Sequence, residues 1–538
     1  NYSNNSLYIY IKIVKILFLY PNHKGINMLP TGVALLSACL KREGHIVKLF
    51  DTTYYNETTF IDGVQDTSDS DGSKIDRLMA RPVKDGHHNI TIKYTNVFED
   101  FLKEVLNFEP ELIALSCTED MFSLGIQLLK KIKHLNILTI AGGVFPTFAP
   151  KLALSFNEID IVCKGEGEDA LPELCKRLEQ KKSFDNIPGL WIKKKNDEII
   201  SNPPKMIDMD ENPLIDVSMF EEARFYRPMM GKTWRMFPVE THRGCPYKCA
   251  YCNSPSQMAM YKLEQNKSFL RRKTFDNMRR ELLFLKDVMK ADFLFFWADT
   301  FFSWTRKDFE TFAELYQEIK LPFWCQTRPE TLNEDRVKTL KKMNCARMAF
   351  GIEHGNVEFR AKYLNRKMPN EVITEGMKIV LKAEIPFSVN NILGFPHETR
   401  EIAFDSIRLN RTFVDPKIVD VNAYPFTPFA GTPLRTTCEN LGFIKKTDIV
   451  NCFMANGSVL NMPNFNKNEV DGLCKTFNMY VNFPENRWDE IRIAEQNTKE
   501  GNKKYNELKD EFIETFWKDG ISFTDLHDHQ AEIHSSFN

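Results

Sequence analysis

Two α/β domains in succession are the fold that this chain predicts, because apolar runs alternate with amphipathic segments in two separate series. The first series, in residues 13–180, predicts a doubly wound parallel sheet of the Rossmann-like kind. The second series, in residues 233–435, predicts six strand–helix units that form a partial TIM-type barrel. Prolines interrupt residues 181–232, which we expect to be an irregular linker. Residues 436–538 mix helical and aromatic segments and predict a C-terminal extension that caps the barrel and touches substrate.

The first domain starts at the end of an apolar run in residues 7–20. Lys12 and Lys15 interrupt the run, and it is shorter than the about 20 apolar residues that a membrane-spanning helix needs. We therefore expect a buried first strand, KILFLY. Residues 52–96 lack apolar periodicity and predict a loop insertion. The other predicted elements are, in order, helix TGVALLSACLKREG, strand HIVKLFD, helix VFEDFLKEVLNF, strand LIALSC, helix MFSLGIQLLKKIKHL, strand ILTIAGG, strand IDIVC and helix ALPELCKRLEQ.

Ligands of doubly wound sheets bind beyond the carboxyl ends of the strands. Four predicted loops follow such ends, at residues 22–32, 116–119, 142–147 and 165–168, and we expect them to share one face. Glycines in these loops allow the backbone to approach a ligand closely, although glycines at strand ends are also ordinary turn residues. They are Gly142, Gly143 and Gly165.

The barrel series places polar residues directly after apolar strands. Functional side chains of such barrels lie at the carboxyl ends of the strands, so these residues are expected to converge on one mouth. The predicted strands are RMFPVETHRG, DFLFFWAD, PFWCQT, ARMAFGIE, PFSVNNILGF and IVDVNAYPF. The residues at or after the second to fifth strand ends are Asp299, Arg328, Glu353 and Gly394.

A CxxxCxxC loop made of Cys245, Cys249 and Cys252 follows the first barrel strand. A four-iron cluster has four corners to ligate, so three thiolates leave one iron open to an outside ligand. A structural zinc site is the alternative, with His242 as its fourth ligand. A disulfide framework is less favoured, because the other nine of the 12 cysteines are scattered singly. A reducing, cytoplasmic location is therefore expected.

The cysteine loop and the Thr-His-Arg-Gly that precedes it resemble the radical S-adenosylmethionine (radical SAM) superfamily. The resemblance implies that the open iron of a 4Fe–4S cluster chelates SAM and that Tyr251 packs near the adenine. It also implies that Asp299 accepts a hydrogen bond from the SAM ammonium, although Trp-Ala-Asp stands here where the family has Gly-Gly-Glu. A helix N-cap is the alternative role for Asp299.

Three further elements carry the same resemblance. Glu353 belongs to a GxES-like element, with His354 at the serine position, and is expected to bind ribose hydroxyls or a neighbouring arginine. Arg366 of Leu-Asn-Arg and Arg328 of Gln-Thr-Arg-Pro-Glu are expected to pair with the SAM carboxylate. Gly394 is expected to shape the adenine pocket through its backbone.

Together with this loop, residues 13–180 resemble the cobalamin-binding domain of cobalamin-dependent radical SAM enzymes. Ser116 and the Gly142-Gly143 pair stand where that family has its SxL and GG elements, although the first reads Ser-Cys-Thr here. The DxHxxG signature of cobalamin mutases, which supplies an axial histidine, is absent. His23 in the first loop is the candidate cobalt ligand, and an ordinary loop histidine is the alternative.

The resemblance implies an enzyme that uses a 4Fe–4S cluster, SAM and cobalamin to act on an unactivated carbon, with C-methylation as the expected reaction. An oxidative cyclase of a tetrapyrrole-type substrate is one alternative, and a non-enzymatic cobalamin-binding sensor is another. A methylthiotransferase is less favoured, because the first domain lacks a cysteine triplet for a second cluster. The expected partners are an electron donor such as flavodoxin or ferredoxin and an unknown organic substrate.

The balance of charges argues against one class of function, nonspecific nucleic-acid binding. With 71 basic and 73 acidic residues, the chain lacks the strong basic field that nonspecific nucleic-acid binding requires. His527, His529 and His534 near the end are possible metal ligands, but a polar, frayed terminus is the favoured interpretation.

Overall fold

The structure, a computed structural model, describes residues 13–23, 28–56, 77–79, 91–230, 232–450 and 457–517. The beginning of the apolar run, most of the 52–96 insertion and the three C-terminal histidines lie outside the described residues. Within these ranges no helix combines the length and the apolar character needed to cross a bilayer.

The first sheet contains seven strands. They are β1 (Lys15–Tyr20), β2 (Ile46–Asp51), β3 (Leu112–Ser116), β4 (Leu138–Gly142), β5 (Ile161–Cys163), β6 (Leu190–Lys193) and β7 (Ile199–Ser201). Their order is β2-β1-β3-β4-β5-β6-β7, and the first five run parallel. The order 2-1-3-4-5 is that of a doubly wound fold, as the sequence predicts.

Helices follow each of the five parallel strands of this sheet. They are α1 (Thr31–Arg42), α2 (Val97–Phe108), α3 (Glu119–Ile132), α4 (Val144–Phe148), α5 (Pro150–Leu154) and α6 (Ala170–Glu179). Buried strand residues such as Ile16 and Leu17 face opposite sides of the sheet and join separate apolar clusters. Both faces are therefore covered, which explains the nearly continuous apolar runs of these strands.

The 181–232 segment is not an irregular linker throughout, and this prediction needs correction. It supplies β6 and β7, which extend the first sheet in antiparallel fashion, and then β8 (Tyr226–Met229) of the second sheet. Pro188 and Pro203 flank the β6–β7 pair, and Pro228 lies in an edge strand, where a missing N–H is tolerated. The prolines of this segment thus lie near strand ends and in an edge strand. Their density is why the sequence predicts an irregular segment.

The second sheet is the partial barrel that the sequence predicts. After β8 come β9 (Lys232–Val239), β12 (Phe293–Phe296), β13 (Phe323–Thr327), β14 (Cys345–Glu353), β15 (Phe387–Leu393) and β16 (Val419–Pro425), while β10 (His242–Arg243) and β11 (Arg271–Arg272) form a small separate ladder. The order is β16-β15-β14-β13-β12-β9-β8, with the six strands from β9 to β16 parallel.

Eleven α-helices accompany the barrel and the extension within the described residues. They are α7 (Ser254–Gln265), α8 (Phe275–Leu283), α9 (Arg306–Ile319), α10 (Glu334–Lys342), α11 (Val357–Lys362), α12 (Asn370–Lys382), α13 (Arg400–Arg411), α14 (Pro433–Asn440), α15 (Lys467–Asn482), α16 (Trp488–Ala494) and α17 (Lys499–Phe512).

The open edge of the barrel is covered by the extension and by part of the insertion. On α15, the Asn478 amide donates hydrogen bonds to the Val421 carbonyl of β16 at 2.5 Å and to the Leu78 carbonyl at 2.9 Å. Leu78 and Met79 are buried. These contacts satisfy a carbonyl on an edge strand, which otherwise needs another partner.

Two buried carboxylates join the first domain to the rest of the chain. Glu119, at the start of α3, accepts hydrogen bonds from the backbone N–H groups of Ala430 at 2.6 Å and Val450 at 3.1 Å, and from Arg435 at 3.2 Å. Glu119 is 3% exposed and Arg435 is 4% exposed. The extension is therefore tied directly to the carboxyl edge of the first sheet.

Glu166 makes the second connection, from the loop after β5. Its carboxylate accepts from Arg243 at 2.5 Å, from Arg271 and from the Ile207 N–H at 3.1 Å. Neighbouring Glu168 also pairs with Arg243, at 2.7 Å. Since Arg243 lies two residues before the cysteine loop, this cluster fixes the first domain beside that loop.

We expect Glu166→Ala to lower the free energy of unfolding by about 3 kcal/mol. Its removal leaves Arg271 and part of Arg243 buried without their carboxylate, and breaking a buried pair from one side costs about 3–5 kcal/mol. Glu168 still pairs with Arg243, so we expect a loss at the lower end of this range.

Urea denaturation measures the change in the free energy of unfolding. Glu375→Ala, which removes an exposed pair with Lys378, is the control and should change stability by less than about 1 kcal/mol; equal losses in both variants would contradict the interpretation.

Candidate active site at the barrel mouth

A cavity of about 770 Å³ lies at the carboxyl ends of the barrel strands. All three cysteines of the loop line it, and the first domain closes it with Thr118 and Asp120. The other predicted site residues that line it are Tyr251, Asp299, Arg328, Glu353 and Arg366. The barrel-mouth residues chosen from strand ends therefore converge on one space.

Backbone hydrogen bonds hold the cysteine loop in place. The Ala250 N–H donates to the Leu364 carbonyl at 3.0 Å, and the Ala250 carbonyl accepts from the Leu434 N–H at 3.0 Å. The Asn365 amide donates to the Lys248 carbonyl at 2.8 Å. The loop is thereby attached both to the segment after α11 and to the start of α14.

Each cysteine sulfur has a polar neighbour. The Arg328 guanidinium lies 2.9 Å from Cys249 Sγ, the Ser254 N–H lies 3.5 Å from Cys252 Sγ, and the Thr300 hydroxyl lies 3.6 Å from Cys245 Sγ. Burial raises the pKa of the Cys252 thiol to about 11. A thiol in such a position becomes a thiolate when a metal binds it, because metal binding displaces the proton.

The donor set fits a four-iron cluster better than a single zinc ion. Both ring nitrogens of buried His242 are engaged, Nδ1 with the Thr241 hydroxyl at 3.0 Å and Nε2 with the Thr300 carbonyl at 3.1 Å. Among the described residues, no three His, Cys, Asp or Glu side chains are arranged to hold one metal ion. A cluster needs no such convergence, because its three cysteines ligate separate iron corners.

Asp299 is a cavity carboxylate and not a helix cap. The side chain that caps α9 belongs to Thr305, which accepts from the Asp308 N–H. Asp299 Oδ2 instead accepts from the Ser254 hydroxyl at 2.8 Å. This bond places Asp299 beside the residue that contacts Cys252, where an ammonium group near the cysteines would reach it.

Arg366 holds Tyr251 and Glu353 together. Its guanidinium donates to the Tyr251 hydroxyl at 3.0 Å and to the Gly351 carbonyl, and it lies 3.6 Å from the Glu353 carboxylate. A register shift at Gly351 and Glu353 re-aims the end of β14, as β-bulges near active sites do. A Cβ at Gly351 would meet the Glu353 carboxylate, so a larger side chain there would displace that carboxylate.

The electrostatics of this group follow from burial and pairing. Burial raises the pKa of Glu353, although nearby Arg366 opposes the shift. Burial alone would lower the pKa of Arg366, but Tyr251 and Glu353 outweigh it and raise that pKa.

Gly394 is positioned by Glu398 and His354. Glu398 Oε2 accepts from the N–H groups of Gly394 at 2.6 Å and Phe395 at 2.8 Å, while Oε1 lies 3.0 Å from His354 Nε2. His354 Nδ1 accepts from the Asn356 N–H at 3.0 Å, so its proton is on Nε2 and is donated to Glu398. Gly394 itself does not line the cavity described here. The histidine that replaces the expected serine thus orients a carboxylate.

Comparison with known proteins agrees with this architecture. Residues 77–175 match the B12 binding domain family, and residues 239–409 match the radical SAM superfamily. The chain therefore combines a B12 binding domain with a radical SAM domain. The B12 match covers most of the first domain, and the radical SAM match runs from the last residue of β9 into α13.

The chain is similar to several curated proteins. It is 26% identical over 349 residues to an uncharacterized methyltransferase of Pyrococcus horikoshii (63% of this chain, 71% of the relative) and 24% identical over 370 residues to the hopanoid C-3 methylase of Methylococcus capsulatus (66% of each). It is 23% identical over 442 residues to the anaerobic magnesium-protoporphyrin IX monomethyl ester cyclase of Cereibacter sphaeroides (78% of this chain, 63% of the relative). The chain thus spans about two thirds of the length of these relatives.

Two solved structures share the fold of this chain. The cobalamin-dependent radical SAM enzyme OxsB with aqua-cobalamin and SAM bound has a TM-score of 0.62 at 14% identity, covering 94% of this chain and 72% of OxsB. The radical SAM methyltransferase TsrM of Kitasatospora setae has a TM-score of 0.61 at 12% identity, covering 97% of this chain and 98% of TsrM.

The predicted cobalamin residues of this radical SAM chain lie at the carboxyl edge of the first sheet but do not line the cavity. Ser116 pairs in register with Gly142 at the ends of β3 and β4. Gly143 has φ +106°, and a Cβ there would collide with the Cys117 carbonyl, so close backbone packing requires it. Gly165 packs against Tyr261 of α7. His23 is buried, and burial lowers its pKa to about 4; its role as a cobalt ligand stays a prediction.

Several cavity residues of this radical SAM chain were missed by sequence reasoning. Thr118 lies within the predicted loop 116–119, but Asp120 follows it by one position and was not selected by the sheet rule. The aromatic wall formed by Tyr424, Phe426 and Phe429 lies at the end of β16 and just beyond it. No motif marks that wall, because apolar residues at a strand end read as ordinary core.

We expect Glu398→Gln to lower the free energy of unfolding by about 1–3 kcal/mol and to weaken SAM binding. A glutamine amide has one oxygen, so either the Gly394–Phe395 N–H pair or His354 Nε2–H loses its buried acceptor. Urea denaturation and equilibrium SAM binding measure the two effects. Glu401→Gln, an exposed position on α13, is the matched control. Unchanged stability and SAM affinity in Glu398→Gln would show that Glu398 does not hold Gly394.

Proposed function

We propose that this chain is a cobalamin-dependent radical SAM C-methyltransferase whose 4Fe–4S cluster is held by Cys245, Cys249 and Cys252. The supporting observation is one cavity lined on one side by these three cysteines and on the other by Thr118 and Asp120 of the first domain. In a radical enzyme with two cofactors, both must reach the same substrate carbon. When bound, the cluster and SAM supply the oxidant that removes a hydrogen atom, and cobalamin supplies the methyl group.

The polar residues of the barrel mouth suit the parts of SAM. Asp299 lies beside Ser254 and accepts a hydrogen bond from the SAM ammonium. Arg366 Nε has no hydrogen-bond partner among the described residues, so this buried guanidinium retains a donor for the SAM carboxylate. Glu353 lies next to Arg366 and accepts ribose hydroxyls. The Glu398-bound turn at Gly394 fixes the chain just after Ile392, which lines the cavity, and in this way supports the adenine pocket.

The walls of the cavity protect a reactive carbon centre from water. Tyr424, Phe426 and Phe429 line the cavity on the side of β16, and Trp297 lines it at the end of β12. Glu119 ties the segment after Phe429 to the first domain through the Ala430 N–H. Exclusion of water by such walls prevents side reactions of a reactive intermediate.

Oxidative cyclisation of a tetrapyrrole-type substrate is the second candidate function. The cyclase relative aligns with 78% of this chain, more than the 63% and 66% aligned by the two methylating relatives. A non-enzymatic sensor has less support, because it has no use for the SAM-binding groups at the barrel mouth. The electron donor, a flavodoxin or ferredoxin, and the cytoplasmic location stay predictions.

We expect Cys249→Ala to abolish 5′-deoxyadenosine formation from SAM and to leave cobalamin binding largely intact. The substitution removes one of three cluster ligands but lies outside the first domain. The anaerobically reconstituted protein is assayed with dithionite by chromatography, and cobalamin is measured by absorbance after desalting. Cys438→Ala on α14, a buried cysteine outside the cavity, should keep both properties. Equal SAM cleavage in Cys249→Ala would refute the role of the loop.

Isotope transfer separates methylation from cyclisation. The reconstituted protein is incubated with [methyl-²H₃]SAM, reductant and a small-molecule and lipid extract, and products are analysed by mass spectrometry. C-methylation predicts a product that gains one deuterated methyl group and is missing with Cys249→Ala. A product that gains oxygen or loses hydrogen without the label would instead support the cyclase.

A further inference from the structure

We propose that Arg328 is a positioning residue of the cysteine loop that donates a hydrogen bond to the Cys249 sulfur and thereby raises the reduction potential of the cluster. The inference rests on the proposed function, because it concerns the cluster that the loop is proposed to hold. It gives Arg328 a role different from pairing with the SAM carboxylate.

The contact is direct and largely removed from solvent. Arg328 Nη1 lies 2.9 Å from Cys249 Sγ, and the Arg328 side chain is 11% exposed. Cys249 is the most buried of the three cysteines, at 7% exposure. The neighbours described for Cys245 and Cys252 are a hydroxyl and a backbone N–H, so among the described contacts the guanidinium reaches Cys249 alone.

Two further contacts hold the guanidinium in this orientation. Arg328 Nε donates to Glu330 Oε1 at 2.6 Å, and Nη2 lies 2.5 Å from the same carboxylate. The guanidinium carbon lies 3.7 Å from the centre of the Tyr247 ring. Tyr247 belongs to the cysteine loop itself, between Cys245 and Cys249. Arg328 is therefore braced by a carboxylate from its own loop and by an aromatic ring from the loop that it contacts.

The sign of the effect follows from charge. One-electron reduction makes a thiolate-ligated cluster more negative, so a donated N–H and a nearby positive charge stabilise the reduced form more than the oxidised form. Hydrogen bonds to the sulfurs are among the factors that set cluster potentials. Burial limits screening by water. Glu330 offsets part of the charge, but it leaves the N–H contact with sulfur in place.

The test is a potentiometric titration of the reconstituted protein, with the reduced cluster followed by electron paramagnetic resonance. Arg328→Gln should shift the equilibrium about tenfold toward the oxidised cluster, which is a fall of about 59 mV for a one-electron couple. Arg328→Lys keeps the positive charge but loses the planar guanidinium group. It should lower the potential by less than Arg328→Gln does. Iron and sulfide are quantified in each variant, and SAM affinity is measured in parallel.

Arg336→Gln is the matched control. Arg336 also lies in this part of the barrel, donates to the Thr331 carbonyl at 2.6 Å and stacks on Phe302, but it does not line the cavity. Its substitution removes a charge near Tyr247 without touching a cysteine sulfur. We expect the cluster potential of this variant to equal that of the wild-type protein.

The outcomes are distinguishable. An unchanged potential in Arg328→Gln at full cluster content overturns the inference, and weaker SAM binding with an unchanged potential assigns Arg328 to the SAM carboxylate instead. An equal fall in Arg336→Gln overturns it as well, because general charge would then explain the shift. If Arg328→Gln fails to assemble a cluster, Arg328→Lys decides: a lowered potential supports the inference, and an unchanged one overturns it. Failure of the wild-type protein to assemble any cluster would refute the proposed function itself.

Discussion

The burial of two carboxylates, Glu119 and Glu166, between the first domain and the rest of the chain is the constraint on which the site depends. Each emerges from the carboxyl edge of the first sheet and is satisfied by donors from beyond residue 200. A buried carboxylate without its donors is strongly unfavourable, so the two sheets are fixed with their loop edges face to face. The cavity exists because of this arrangement: Asp120 follows Glu119 directly, and Arg243, which pairs with Glu166, precedes the cysteine loop.

The barrel mouth shows how the cysteine loop is supported by groups outside the CxxxCxxC motif itself. Ala250 is bound on both sides by backbone partners, and each cysteine sulfur has a different polar neighbour. Glu398 and His354 support Gly394 in the same indirect way. These supporting residues determine where the proposed ligands of SAM and of the cluster lie, and a 1 Å displacement of such groups is costly in catalysis.

Much of the fold could be predicted from the sequence, because β1, β3 and β4 and the barrel strands are apolar runs separated by amphipathic helices. The cysteine loop could be predicted because its spacing is specific. Strand β6 could not, since it is short and lies beside Pro188, and a hairpin added to a sheet edge has no periodic signal of its own. The function of Glu166 was also beyond sequence reasoning: its partners lie 77 and 105 residues away along the chain, and a Gly-Glu-Gly-Glu loop at a strand end resembles a ligand loop.

If both cofactors bind as proposed, the cluster and cobalamin lie close together between the carboxyl edges of the two sheets. The most direct test is anaerobic reconstitution with iron, sulfide and cobalamin, followed by metal analysis and pulsed electron paramagnetic resonance of the reduced cluster and Co(II). This arrangement predicts about four irons, about four sulfides and one cobalamin per chain, with magnetic coupling between the two centres. Cobalamin bound without such coupling, or a cluster in a protein that retains no cobalamin, would contradict it.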